Sequence, residues 1–121
     1  MAIFSELPVY KLGYDLLINL FHCTSGFSKE YKYTLGEKIK NEALELLIQI
    51  YSANKSTKIT KEEHLEEARR KLEVLRILLR ISKDINALSL KSFVVLNGQV
   101  EALSKQLSAW QKYTAGAQNT E

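Results

Sequence analysis

The chain has 121 residues, of which 45% are hydrophobic and 26% are charged, with five glycines and one proline. This composition lies outside the ranges of disordered and collagen-like chains, and the length fits one domain over residues 1–121. Cys23 is the only cysteine, so no internal disulfide can form. Neither a signal-peptide pattern nor a run of ~18 apolar residues is present, so we expect a cytoplasmic protein. The net charge of +3 is uneven: residues 1–68 carry eight Lys or Arg against ten Asp or Glu, and residues 69–121 carry nine against four.

Apolar residues recur at steps of three and four along four segments of the chain, which is the spacing of one helical face. In chain order, this pattern predicts helices over residues 9–25, 34–54, 61–83 and 89–113, and a frayed polar tail over residues 114–121. Because the connections are shorter than ~10 residues, we expect consecutive helices to be antiparallel. The sequence therefore predicts an all-α protein, an antiparallel up-down-up-down four-helix bundle.

Local residues at the predicted helix ends support these boundaries. Pro8 suits a first helical turn, and Gly26 suits the end of the first helix. Thr60 followed three residues later by Glu63 predicts a capping box for the third helix, and Ser89 is a candidate N-cap for the last.

The third predicted helix carries more than one apolar face. The face expected to point into the core consists of Leu65, Leu72, Leu75 and Leu79. A second apolar face, about 135° around the helix axis, consists of Val74, Leu78, Ile81 and Ile85. The second face either widens the core contact or packs on another subunit, since large exposed apolar patches are uncommon on monomers. We expect an oligomer whose interface includes Val74, Leu78 and Ile81.

A line of basic residues, named the basic seam below, lies between these two faces. It consists of Arg69, Arg76, Arg80 and Lys83. Such a line is either a solvated helix face, with the side-chain stems covering apolar surface, or a site that binds a polyanion. Both interpretations stay open on the residues alone.

No residue pattern predicts catalysis, a cofactor or a metal site. His22 and Cys23 point in different directions on a helix and His64 is distant in sequence, whereas a metal needs three or four converging ligands. The periodicity predicts a buried, inert thiol at Cys23. Neither Gly36 nor Gly98 belongs to a phosphate-binding glycine motif. The residues alone therefore give little support to a metal site or to nucleotide chemistry.

Three stretches of the chain form a recognisable pattern together. They are FSKEYKYTLG at 27–36, LEVLRILLRISKDINALSLKSF at 72–93 and LSKQLSAWQK at 103–112. In this order and spacing they resemble the accessory variability determinant family of diversity-generating retroelements, and the resemblance covers about residues 7–113. That family is related to four-helix-bundle proteins encoded by intervening sequences of ribosomal RNA genes.

The resemblance implies a barrel-shaped homopentamer that binds the retroelement's reverse transcriptase and nucleic acid, either the template RNA or DNA. Such an accessory protein supports mutagenic synthesis of complementary DNA and catalyses nothing itself. The residues that we predict to bind nucleic acid or the protein partner are Arg69, Arg76, Arg80 and Lys83, with Lys55 and Lys58 from the preceding loop. An intervening-sequence protein of the same bundle type, with a structural or RNA-associated role, is the alternative.

Overall fold

The computed structural model describes residues 7–119 of the chain, and these residues contain helices and no strand. The helices are α1 (Pro8–Ser25), α2 (Lys29–Lys32), α3 (Leu35–Lys55), α4 (Lys58–Asp84) and α5 (Leu90–Asn119). α2 is a single turn that leads into α3, and the four long helices form a bundle. Within the described part, no helix is long and apolar enough to cross a membrane.

The four long helices are antiparallel to their neighbours. α3 contacts α1 and α4, and α5 contacts α4 and α1, so the four helices close a square around one core. Along each contacting pair, residue numbers rise in one helix as they fall in the other. The neighbouring pairs that establish this are Gly13–Ile50 and Phe21–Lys40, Gln49–His64 and Glu45–Lys71, Arg69–Gln111 and Lys83–Phe93, and Asn19–Gln99. Val9 and Trp110, which line one depression, fit the same order. The predicted all-α bundle is confirmed, and its order is up-down-up-down.

The core contains the residues that the periodicity places on the inner faces. In α4 these are Leu65, Ala68, Leu72, Leu75, Leu79 and Ser82, all of them buried. In α5 they are Leu96, Val100, Leu103 and Leu107, with Phe93 and Trp110 packed against the core at either end. Gly13 allows α1 and α3 to approach closely, because a Cβ at this position would lie 3.2 Å from Leu47 Cδ1 and 3.2 Å from Ile50 Cδ1.

Three of the four local end signals are present in the structure. Pro8 is the first residue of α1, and Gly26 caps its carboxyl end. Ser89 precedes α5, and its Oγ accepts a hydrogen bond of 3.1 Å from the backbone N–H of Ser92. The predicted capping box is wrong, because α4 begins at Lys58 and Thr60 therefore lies within its first turn.

Helix ends also differ from the periodic pattern. α4 starts three residues before the predicted position 61, and α5 continues to Asn119, past the predicted position 113. The extension of α5 has a physical reason, because Thr114, the first residue after the predicted end of the helix, is buried. α4 ends at a turn in which Asn86 has a φ of 65°, a left-handed conformation that asparagine tolerates better than most residues.

Candidate nucleic-acid interface

The basic seam lies along the groove between α4 and α5. At its amino-terminal end, Arg69 Nη1 donates a hydrogen bond of 2.7 Å to Gln111 Oε1 of α5. Gln111 Nε2 in turn donates to Glu66 Oε2 at 2.9 Å. Arg69 is therefore half-buried and held by a network that joins the two helices.

Arg76 occupies the middle of the seam and is clamped by two carboxylates. Its Nε lies 3.0 Å from Glu73 Oε1 in the same helix, and its Nη1 is ion-paired with Glu101 of α5. The guanidinium is thus neutralised by groups that are themselves largely exposed. Exposed ion pairs contribute only about 0–1 kcal/mol, so a phosphate could replace one of these carboxylates at little cost.

The carboxy-terminal end of the seam contains its most accessible cation. The side chain of Arg80 is 67% exposed, and its Nε lies 3.6 Å from Asp84 Oδ2. Lys83 Nζ lies 3.5 Å from Asp84 Oδ1 and 5.1 Å from the ring centroid of Phe93, so its stem covers an aromatic residue of α5. Of the four seam residues, Arg80 alone is exposed over most of its surface.

The two loop lysines fall on different faces of the bundle. Lys58 begins α4 on the same side as the seam and lines a depression of about 240 Å³ together with Tyr113 and Thr114 of α5. Lys55 ends α3, and its Nζ lies 4.9 Å from the ring centroid of Tyr51 on the side of α3 that faces α1. The structure thus brings Lys58 into line with the seam and separates Lys55 from it.

An acidic groove occupies the amino-terminal part of the same α4–α5 face. It is an open groove of about 750 Å³, lined by Ile59, Glu62, Glu63, Glu66, Glu67, Arg70, Gln111, Lys112 and Ala115. These carboxylates repel phosphate, and Arg69 is connected to one of them through Gln111. A polyanion would therefore meet the seam at its carboxy-terminal half, around Arg76, Arg80 and Lys83.

The second apolar face of α4 is divided between core and solvent. Val74 and Leu78 are half-buried, and Leu78 packs against the core. Ile81 and Ile85 are exposed, and so is Ile77, which lies outside the face predicted from the periodicity. Part of this face thus widens the core contact, and the rest of it is exposed to solvent.

Sequence reasoning missed two features of α3. The first is Glu42, which is buried and bridges α3 and α4: Lys38 Nζ lies 2.9 Å from its Oε1 and Lys71 Nζ lies 3.4 Å from its Oε2. Burial raises the pKa of this carboxyl, but hydrogen bonds and charge from the two lysines outweigh it, so the pKa is lowered. The second is an exposed apolar stripe at Leu44, Ile48 and Tyr51, whose steps of four and three could have revealed it.

The titratable groups give no support to a catalytic centre. Within the part of the chain that the structure describes, no group of three or more His, Cys, Asp or Glu side chains could hold a metal ion. Cys23 is half-buried, and burial raises the pKa of its thiol, with a side-chain hydrogen bond to Ser92 acting in the opposite direction. A thiol with a raised pKa is a poor nucleophile at neutral pH.

Comparison with known proteins adds a family to this geometry. A family model described as bAvd-like matches residues 9–114, which include all four long helices apart from their outermost residues. No curated protein matches the chain in sequence.

Proposed function

The chain belongs to the bAvd-like family, the accessory variability determinants that its sequence resembles, and we propose that it is a non-catalytic accessory protein of a diversity-generating retroelement. The family match over residues 9–114 is the observation that carries this proposal. In this role the chain binds the retroelement's reverse transcriptase and its template RNA, and so supports mutagenic synthesis of complementary DNA. The proposal assigns no catalytic residue, cofactor or metal to the chain.

The carboxy-terminal half of the basic seam is the surface that we propose for nucleic acid. Arg80 is open to solvent, and Arg76 and Lys83 lie on the same side of α4. Arginine suits this task because its planar guanidinium is always charged and can hold two phosphate oxygens at once. Arg69, Lys58 and Lys55 are proposed as weaker contributors, since the first is tied to α5 and the last lies on another face.

We further propose that the chain works as a homopentamer whose contacts include the predicted interface residues Val74, Leu78 and Ile81. The exposure of Ile81 beside Ile77 and Ile85 supports a contact on this side of α4. In a ring, the basic seams of several subunits would lie on one particle, and a polyanion would meet a larger positive charge than the +3 of one chain.

The test is reconstitution with the reverse transcriptase encoded beside the gene for this chain. The chain, the enzyme and the template RNA are co-expressed, and both co-purification and the yield of complementary DNA are measured. We expect both to depend on the chain and to fall in a variant that combines Arg76→Ala and Arg80→Ala. The matched control combines Arg70→Ala and Lys112→Ala, which removes two cations from the acidic groove instead. Full yield of complementary DNA without the chain would overturn the proposal.

A further inference from the structure

One end of the bundle carries a pocket to which all four long helices contribute. It has a volume of about 340 Å³ and lies where α1 and α4 begin, where α3 ends and beside the carboxy-terminal part of α5. Small-molecule sites in proteins have volumes of about 300–1,000 Å³. The cavity is named the end pocket, and its lining includes Val9, Asn54, Lys61, Gln106, Trp110 and Tyr113.

A smaller cavity adjoins the end pocket. It is the depression of about 240 Å³ that Lys58 and Thr114 line, and Thr57 lines it too. Lys61 and Tyr113 line both cavities, so these two side chains lie at the boundary between them. A ligand with two unlike parts could therefore place one part in each cavity.

The end pocket has the side chains that hold a flat aromatic ring. Trp110 is half-buried and packs against the core, whereas the side chain of Tyr113 is 76% exposed and is not held by the core. Aromatic side chains stack on nucleobases of any sequence. The side-chain amides of Asn54 and Gln106 can both donate and accept hydrogen bonds, as the edge of a base requires. The end pocket therefore fits a nucleobase.

The cations at the boundary and in the smaller cavity fit an anion. Lys61 Nζ lies 5.9 Å from the ring centroid of Trp110. Among the residues that the structure describes, no carboxylate forms an ion pair with Lys61, so an anion would not have to displace one. Lys58 adds a second positive charge to the smaller cavity. The lining of the two cavities contains no Asp or Glu, whereas four glutamates line the acidic groove.

We propose that the two cavities bind one unpaired nucleotide. Its base lies in the end pocket against Trp110 and Tyr113, and its phosphate lies in the smaller cavity near Lys58 and Lys61. A nucleotide fits because a sugar joins its flat base to its phosphate, and an unpaired one is required because pairing would keep the base inside a duplex. This inference goes beyond the proposed function, in which the basic seam meets phosphates and contacts no base.

The first experiment uses the fluorescence of Trp110, the only tryptophan of the chain. The chain is titrated with adenosine monophosphate, with excitation at a wavelength that the nucleotide does not absorb. We expect saturable quenching. Adenosine, which lacks the phosphate, and ribose phosphate, which lacks the base, should both bind more weakly. If neither adenosine monophosphate nor a short single-stranded RNA quenches the fluorescence saturably, the inference is overturned.

Substitutions then assign the binding to the two cavities. Tyr113→Ala should weaken binding by at least about fivefold, the contribution of one stacked base, and Lys61→Gln should weaken the binding of adenosine monophosphate more than that of adenosine. The matched controls are Tyr33→Ala, at an exposed tyrosine of the other end of the bundle, and Lys105→Gln, at an exposed lysine of α5 outside both cavities. Circular dichroism verifies folding. Equal losses in a variant and its control would contradict the assignment.

The same fluorescence distinguishes a free nucleotide from a nucleotide within a strand. The probes are a short RNA strand that contains only adenine and the same strand paired with its complement. Tighter binding of the single strand than of the mononucleotide would identify the ligand as part of a strand, and a response to the mononucleotide alone would identify it as a free nucleotide. Both results support the inference. Equal quenching by the duplex and the single strand would overturn it.

This inference and the proposed function can fail separately. The basic seam lies outside both cavities, so the variant that combines Arg76→Ala and Arg80→Ala should bind adenosine monophosphate like the unchanged chain. A chain that is required for complementary-DNA synthesis, but shows no saturable quenching, would overturn the inference alone. A chain that binds the nucleotide, but is not required for that synthesis, would overturn the proposed function alone.

Discussion

Arg76 of α4 and Glu101 of α5 form an ion pair across the groove between the two helices. The pair neutralises the central cation of the basic seam with a carboxylate that lies at the surface. The phosphate groups of a bound polyanion would therefore compete with Glu101 for the same guanidinium. A substitution of Glu101 in α5 should therefore change how much Arg76 contributes to polyanion binding.

We expect Glu101→Gln to increase the affinity of the chain for structured RNA. The substitution removes the competing carboxylate, and an exposed pair of this kind is worth about 0.2–1 kcal/mol, which corresponds to an increase of up to about fivefold. Fluorescence anisotropy at fixed salt measures it. Glu30→Gln, which makes the same charge change on α2, is the control and should have a smaller effect. An unchanged affinity in Glu101→Gln would mean that Arg76 does not contact phosphate.

Simultaneous Arg76→Ala and Arg80→Ala substitutions should weaken RNA binding and change its dependence on salt. Each bound phosphate releases counterions, so the slope of log affinity against log salt should become shallower by about 0.7–0.9 for each phosphate that the variant no longer binds. Titrations at several salt concentrations measure the slope. The Arg70→Ala with Lys112→Ala control changes net charge equally but should leave the slope closer to that of the unchanged chain. If both double variants show the same slope, the seam is a solvated face.

The buried Glu42 should make the free energy of unfolding depend on pH in the acid range. Its pKa in the folded state lies below the usual value of 4.5. The stabilisation that the charged Glu42 provides is therefore fully present above the usual pKa of 4.5. It is lost as the pH falls through the lower, folded-state pKa. Glu42→Gln should lower the free energy of unfolding by about 1–3 kcal/mol at pH 7 and should make its decrease toward pH 3 less steep. Urea denaturation between pH 3 and 7 measures both effects.

The control for this prediction is Glu45→Gln, because Glu45 also pairs with Lys71 but is about half exposed. Its loss should cost less than about 1 kcal/mol. Equal costs for the two substitutions at pH 7 would contradict the special role of the buried carboxylate.

The two mid-helix glycines Gly13 and Gly98 should respond differently to alanine. A Cβ on Gly98 meets nothing within 4 Å, so Gly98→Ala should stabilise the protein by about 1 kcal/mol through helix propensity. A Cβ on Gly13 would lie 3.2 Å from side-chain atoms of Leu47 and Ile50, so Gly13→Ala should gain less or should destabilise. Thermal unfolding compares the two variants, and a larger gain at Gly13 would contradict the close approach of α1 and α3.

The existence of the helices and the identity of the core could be predicted because both depend on position along one helix. A residue such as Leu72 or Leu79 is buried because it repeats at the period of the inner face, whichever helices lie around it. The same logic identified the cap at Ser89, which involves only local residues. α2 was missed because four residues make one turn and have no period to detect.

The exposure and the bonding partners of the basic-seam residues could not be predicted, because they depend on which helix lies beside each face of α4. The sequence places Arg69 and Arg76 on one side of α4, but their partners Gln111 and Glu101 are more than 20 residues away in α5. Leu78 is half-buried for the same reason, because the neighbouring helix covers part of the second apolar face of α4.

The hydrogen bond from Asn19 to Gln99 also bears on how quickly the chain folds. It joins helices whose contacting residues are 80 positions apart, whereas α3 and α4 meet across a two-residue connection. The entropy of loop closure therefore favours early formation of the α3–α4 hairpin and late docking of α1 on α5. In stopped-flow measurements, Asn19→Ala should mainly accelerate unfolding and leave the refolding rate nearly unchanged. The contact between the first and last helices would then determine how long the native bundle persists, and the central hairpin how fast it forms.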